Sequence, residues 1–302
     1  METARALIGA RALDREITGV DDSDAYVTRP HSPGQLSEAL AGRRLTAARR
    51  RGKTMWLETS GAGDDPGPGP DLGIHLGMSG RILVTAPDGA TAEGGDYDTR
   101  SPSLAWSRFA LTFADGSRLA LIDPRRLGRV WLHPDIAALG PDAATVTPAQ
   151  FRALVTAGTT AVKARLLDQS KIAGIGNLLA DEILWQARVP PQAPAGSLTP
   201  AQVRRLYQAL TRVLAAAMSG AGAHDGEVIA QRRPGGTCPR DGAPMAHGIV
   251  GGRSTWWCSR EQALRPPRRS GGRSRRARDA AEDGPGGQPG AAGVVEVEQA
   301  AD

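Results

Sequence analysis

The stretch KARLLDQSKIAGIGNLLADEILW, residues 163–185, reads as two helices joined by a glycine link. Val162, Leu166 and Leu167 close one apolar helical face, and Leu178, Leu179, Ile183 and Leu184 open another. The intervening residues 169–176 allow only a tight turn. Gly174 and Gly176 let backbone approach a ligand closely. Asn177 stands where it can cap the second helix, whose first N–H groups point at any anion in front of them. Lys163 can reach the same space. From spacing alone the segment is either a phosphate clamp or an ordinary helical hairpin.

Outward from this segment the chain changes character. Residues 4–18 suggest an amphipathic helix running into a strand, without a lead-in cap, and residues 35–41 a second short helix closed by Gly42. The period then becomes two: 45–49, 54–59, 71–76, 80–85, 106–113 and 118–123 read as strands, with Asp115-Gly116 as the hairpin turn between the last two. Residues 61–70 and 88–98 read as irregular surface loops. Thr147-Pro148 and Thr199-Pro200 are N-cap and N1 signals for helices, the second running over 201–218 with Val203, Leu206, Leu210 and Leu214 on one face. Residues 232–262 suggest a small two-stranded ribbon. The expected class is multi-domain α+β: a β-sandwich domain over 1–135, a helical domain over 145–231, a ribbon finger over 232–262 and a disordered tail over 265–302.

Composition narrows the function. Of 302 residues 37 are basic against 32 acidic, and only three of the basic residues are lysine, so guanidinium forks suited to phosphate abound. Seven arginines without an acid span 265–278, and six acids without a base follow over 279–302. The first 264 residues are therefore only mildly basic, and any nucleic-acid footprint must come from placement. No apolar run reaches membrane length and no signal-peptide core is present, which predicts a soluble, cytoplasmic protein. Two cysteines make no disulfide framework. The acids are scattered, unlike the clustered carboxylates of a metal-dependent nuclease.

Residues 163–185 resemble, nearly word for word, the helix–two-turn–helix element of the formamidopyrimidine-DNA glycosylase and endonuclease VIII family. His75-Leu-Gly-Met78-Ser-Gly80 resembles that family's HLGMSG loop, Asp123-Pro-Arg-Arg-Leu-Gly128 its DPRRFG loop, and Gly52-Lys53 its active-site strand lysine. The resemblance spans roughly residues 1–262. It implies a base-excision glycosylase with AP lyase activity, a monomer acting on damaged double-stranded DNA with no membrane partner. By the same resemblance Lys53 serves the catalytic site and Lys163, Asn177 and Arg253 meet the DNA backbone, while His75 is a DNA-binding candidate whose place between strands equally suits a structural hydrogen-bonder. Met78 fills the space a flipped nucleotide leaves, Arg125 faces the orphaned base and Glu182 supports the site. Arg126 is the candidate phosphate fork. Leu127 replaces the usual phenylalanine wedge, and its aliphatic side chain excludes water without stacking.

Two departures stand out. The family's finger places four cysteines as C-x2-C-x16-C-x2-C on zinc, whereas here the same positions are Cys238, Asp241, Cys258 and Glu261. Either these four hold one structural Zn2+ through two thiolates and two carboxylates, or the ribbon is held by Trp256, Trp257, Ile249 and Val250 with the cysteines as small hydrophobes. The second departure is at the start. Met1-Glu2-Thr3 matches the end of the family string Met-Pro-Glu-Leu-Pro-Glu-Val-Glu-Thr, whose proline amine attacks C1′ and whose adjacent glutamate is the acid/base. The favoured expectation is a coding start upstream of Met1; the rival is a catalytically inactive protein that binds damaged DNA.

Overall fold

The chain's periodicity switch is reproduced in a computed structural model, which describes residues 1–264 apart from 64, 66, 96–102 and 222–223. The basic and acidic tail over 265–302 lies outside the described residues. Helix α1 (Glu2–Arg11) buries Ala4 and Ile8 and hands over to strand β1 (Ile17–Asp21). A short α2 (Gln35–Leu40) follows, its leading N–H groups taken by the buried Asp22 carboxylate, which accepts from Gly34, Leu36 and Ser37.

Eight further strands build two antiparallel sheets. They are β2 (Leu45–Arg51), β3 (Thr54–Thr59), β4 (Leu72–His75), β5 (Arg81–Thr85), β6 (Thr91–Gly94), β7 (Ser107–Phe113), β8 (Arg118–Ile122) and β9 (Arg129–Leu132). One sheet runs β1-β7-β8-β5-β6 and the other β2-β3-β4-β9. Ile17, Phe109, Leu111 and Phe113 from the first sheet share one core with Leu45, Met55, Leu57 and Ile74 from the second. Aliphatic and aromatic side chains at every second position make that core, because alternate residues of a strand face the same side. The Asp115-Gly116 turn joins β7 to β8, with Gly116 at φ +84 supplying the left-handed position.

Two strands escaped the sequence reading. Residues 88–98 read as irregular, yet β6 pairs with β5 from Ile82 opposite Gly94 to Thr85 opposite Thr91. Its signal is hidden because the segment TAEG carries no apolar alternation. Gly94 instead packs against α1, where a Cβ atom would lie 2.7 Å from the Ala4 α-carbon. The other unread strand, β9, is recruited by pairing with β4.

The helical half contains α3 (Pro148–Val155), α4 (Val162–Leu167), α5 (Asn177–Ala187) and α6 (Pro200–Ala216). Thr147 and Thr199 each form a capping box, with Gln150 and Gln202 returning the bond, worth about 1 kcal/mol per cap. Val203, Leu206, Leu210 and Leu214 of α6 enter the second core. A π turn over Ala217–Ala221 extends α6. Strands β10 (Met245–Val250) and β11 (Arg253–Cys258) form the ribbon. Among the described residues no helix is long and apolar enough to cross a membrane.

Sheet and helices meet where backbone touches backbone. At Gly52, φ +61, a Cβ would lie 2.6 Å from the Gly174 nitrogen. Beside it the Asp142 carboxylate accepts from the Gly52 N–H at 2.7 Å and from Arg50 at 2.8 Å. Gly52→Ala therefore combines a left-handed backbone with a backbone clash, and is expected to cost about 3 kcal/mol in urea unfolding. Gly34→Ala, also at positive φ but with nothing within 4 Å, should cost only about 1 kcal/mol. Equal costs would contradict the joint.

Candidate nucleic-acid interface

The Gly52–Gly174 joint forms the floor of a cleft of about 790 Å³. The end of β2, the turns after β4 and β8, the link 174–177 and the first residue of β11 all line it. Two carboxylates face this space, Glu2 and Asp142, and Arg50 binds both at 2.8 Å. Burial works against the charge on Glu2, but hydrogen bonds from Arg5 and Arg50 hold its carboxyl below the usual range. The lining cations Lys53, Arg125 and Arg253 have no acid partner among the described residues. The cleft is thus cationic by placement.

Lys53 follows the Gly52 turn, and its Nζ donates to the Ile175 carbonyl at 3.1 Å. Burial and then the Arg253 charge pull its ammonium below the ordinary lysine range. His75 ends β4. Burial, the Lys53 charge and the chain's α-ammonium push it down to about 4. Its Nδ1 accepts the Gly77 N–H at 2.9 Å, so the neutral ring carries its proton on Nε2.

The two loops at the mouth are locked together. Asp123 is fully buried; one oxygen accepts from Ser79 Oγ at 2.7 Å and the Arg125 N–H at 3.2 Å, the other from the Gly128 N–H at 2.6 Å. Gly77, φ +62, sits so close that a Cβ would be 2.5 Å from the Leu127 carbonyl carbon. Met78 and Leu127 are consequently held outward, 62% and 43% exposed, on a rigid base. Arg125 donates to the Met78 carbonyl at 3.3 Å. Arg126 is not an unengaged fork: its Nη2 lies 2.6 Å from Asp24, and it is not among the residues lining the cleft.

Residue 163 overturns the clamp reading. Lys163 is fully buried; its Nζ lies 2.7 Å from Asp181 and donates to Thr255 Oγ1 at 2.7 Å and the Ser254 carbonyl at 3.2 Å. The ribbon covers it, because the turn at Gly251 packs on Ala164 so tightly that a Cβ would lie 2.8 Å away. Asp181 also binds Arg232 at 2.9 Å and accepts the Trp256 N–H at 3.2 Å. Asn177 is likewise not the cap of α5. Gly176 holds that position, with no side-chain bond, and Asn177 is the first helical residue, its Nδ2 donating to the Ser254 carbonyl at 3.0 Å. The first N–H groups of α5 are left without a side-chain cap at the cleft. Glu182, buried, accepts from the Val228 N–H at 3.0 Å and Gln186 at 2.9 Å, and so anchors the segment after α6.

In the ribbon, one ligand atom each from Cys238, Asp241 and Cys258 lie within 4.8 Å of one another. This set could hold a metal ion, and two sulfurs with one carboxylate are zinc-type donors, three of the four that a structural centre uses. Glu261 is not among the donors: Arg240 and Arg188 bind its carboxylate, and only its N–H approaches Cys258 Sγ, at 3.3 Å. The Cys258 thiol, its pKa raised by burial, donates to Asp241 at 3.5 Å, and Trp185 Nε1 donates to Cys238 Sγ at 3.3 Å. Trp256 packs, half-buried, against the ribbon's apolar cluster and Val250 is buried, whereas Ile249 is 70% exposed. Asp123, Asp181, Arg50 and Asp142 were not singled out from sequence. Asp123 stands inside the DPRR loop and Asp181 inside the ADE run, so position within a motif was the available signal.

A two-sheet sandwich, a helix–two-turn–helix and a ribbon around one cationic cleft form a recognisable architecture. Residues 1–130 match the formamidopyrimidine-DNA glycosylase N-terminal domain and residues 138–226 the formamidopyrimidine-DNA glycosylase H2TH domain. A formamidopyrimidine-DNA glycosylase of Chloroflexus aurantiacus is 33% identical over 280 residues, covering 85% of this chain and 94% of that one. One from a Nocardioides species is 32% identical, covering 82% and 88%. The fold also matches Lactococcus lactis formamidopyrimidine-DNA glycosylase bound non-covalently to DNA containing an AP site, with TM-score 0.69, 24% identity and coverage of 87% and 98%. The chain belongs to the formamidopyrimidine-DNA glycosylase family.

The His75 shift has a measurable consequence. Between pH 6.5 and 4 the unfolded chain protonates this histidine and the folded chain does not, so this contribution to stability is fully present above pH 6.5 and declines as pH falls. Unfolding free energy should drop by up to about 3 kcal/mol across that window from this group, and His75→Gln should flatten the slope there. An unchanged slope in H75Q would show that the ring is solvated.

Proposed function

We propose that this chain excises oxidised bases from duplex DNA and cleaves the strand at the resulting abasic site, as a DNA glycosylase with associated AP lyase activity. The observation that carries the reading is the pairing of two outward apolar side chains, Met78 and Leu127, on a rigid base at the mouth of a cationic cleft. Extruding a nucleotide leaves an apolar gap in the stack and draws a phosphate backbone into the protein, so wedge and cations are needed together.

In this reading Met78 enters the vacated space, Leu127 wedges beside the orphaned base and Arg125 meets that base's edge. Lys53, Arg253 and the Nε2–H of neutral His75 take the phosphates around the flipped nucleotide, and Asn177 stands with the uncapped start of α5 at the backbone. Glu182 keeps the segment after α6 in place. An amine attacks C1′ and the base leaves with the electrons of its C1′–N bond; the sugar ring then opens as the C1′–O4′ bond breaks, O4′ takes a proton, and an imine joins C1′ to the amine. Successive β- and δ-elimination from that imine break the 3′ and 5′ phosphate ester bonds. Met1 at the head of α1 lines the cleft, which supports an amine carried there as the attacking group. Zinc on Cys238, Asp241 and Cys258 would act structurally, steadying the ribbon that carries Arg253.

The test is a labelled duplex with one formamidopyrimidine or one oxidised pyrimidine, incubated with the protein with and without borohydride. The expected products are a one-nucleotide gap with phosphate at both ends and a reduced covalent adduct located by mass spectrometry at the head of α1. Tight binding with an intact strand and no adduct would overturn the enzymatic reading and leave a protein that only binds damaged DNA.

A further inference from the structure

Outside the cleft, beyond Leu127, the surface carries an aromatic side chain among arginines that the cleft chemistry does not use. The Tyr26 main chain is held firmly. Asp24 accepts the N–H groups of Tyr26 at 3.2 Å and Val27 at 3.3 Å, Val27 is fully buried, and its carbonyl accepts the Val130 N–H at 3.0 Å. The ring nonetheless faces outward, 53% exposed, and its hydroxyl has no hydrogen-bond partner among the described residues.

Two guanidiniums stand over that ring, Arg29 at 4.3 Å and Arg126 at 5.7 Å from its centroid. Arg29 also donates to the Tyr26 carbonyl, and the Arg29 carbonyl accepts from Arg129 Nε at 3.1 Å. Asp24 is the acid of this group, and it is already bound to Arg126. Burial opposes its charge, but Arg126 and the backbone N–H groups hold its carboxyl below the usual range, so it stays ionised and matched to that arginine. Arg29 and Arg129 have no carboxylate partner among the described residues. The patch therefore offers two uncompensated guanidiniums and a phenol hydroxyl on a preorganised backbone.

Resting on the reading of the cleft as a DNA site, we propose that Tyr26, Arg29 and Arg129 form an outboard grip on the sugar–phosphate backbone of duplex DNA running out of the cleft. Arg126 and Leu127 are consecutive, so the loop that lines the cleft with Leu127 reaches the patch with Arg126. A duplex seated against Leu127 continues over Tyr26. Its regularly spaced phosphates match planar donors, and the phenol hydroxyl donates to one more oxygen. Because bases in a duplex stay stacked, the contact is with the backbone and carries no sequence preference. It lengthens the footprint and leaves the choice of lesion to the cleft.

The experiment compares two abasic-site duplexes, one just long enough to fill the cleft and one extended by a helical turn on each side, over a salt series. Arg29→Ala and, separately, Arg129→Ala should each weaken the long duplex about fivefold near 0.1 M salt and lower the magnitude of the log K against log salt slope by about 1, leaving the short duplex unchanged. Tyr26→Phe should weaken the long duplex without altering the slope, since a neutral hydroxyl releases no counterion. Unfolding midpoints of all three variants should stay at the wild-type value, which separates lost contact from lost fold. Equal losses on both duplexes, or wild-type affinity on both, would overturn the grip. Wild-type protein that binds neither duplex would instead sink the reading of the cleft, and the grip with it.

Discussion

A single buried carboxylate, Asp181, ties the helical half of this protein to its ribbon. It sits on α5, takes Lys163 from α4 at 2.7 Å and Arg232 from the segment before the ribbon at 2.9 Å, and accepts the Trp256 N–H of β11. Next to it the Ser254 carbonyl gathers Lys163 and Asn177. An ion cluster this deep is costly to break from one side, because the remaining charge is stranded in low dielectric. It fixes where β11 begins, and thereby where Arg253 enters the cleft. The metal-competent trio of Cys238, Asp241 and Cys258 acts at the far end of the same strand, so the ribbon has two fastenings, one ionic and one through sulfur and carboxylate.

The same logic operates across the cleft. Asp123 binds the two mouth loops to each other, and Arg50 spends its charge on Glu2 and Asp142. Acids in and around the cleft are thus consumed by structure, and the cations left over, Lys53, Arg125 and Arg253, define its field. A chain that is only mildly basic overall becomes strongly cationic where a phosphate backbone would lie. Rigidity under Met78 and Leu127 matters equally, since a wedge on a loose loop would lose its orientation entropy on every encounter.

Much of this was legible in the sequence. Turn and cap chemistry located the β7–β8 hairpin and the starts of α3 and α6, because Asp-Gly and Thr-Pro act locally and need no tertiary partner. Strand β6 was not legible, since TAEG is a strand only by virtue of its neighbour β5. At the site, motif order picked out His75, Met78, Arg125, Leu127, Lys53 and Arg253, and all six line one cleft. The failures among the charged residues are questions of side-chain allegiance. Lys163, Arg126 and Glu261 are charged residues in phosphate- or metal-binding patterns, yet each is claimed by an opposite charge distant in sequence: Asp181, Asp24, and the pair Arg188 and Arg240. Spacing along the chain cannot reveal which charge a folded partner will neutralise.

The salt dependence of binding tests this division of labour most directly. With an abasic duplex, log K is followed against log salt for wild type, Lys163→Met and Arg253→Ala, at a temperature where all three are folded. If Lys163 is a buried strut and Arg253 a phosphate contact, R253A lowers the magnitude of the slope by about 1. K163M then keeps the wild-type slope and is lowered in unfolding midpoint. A slope reduced by about 1 in K163M, with R253A unchanged, would contradict the account, for it would place the lysine on the DNA and take the arginine off it.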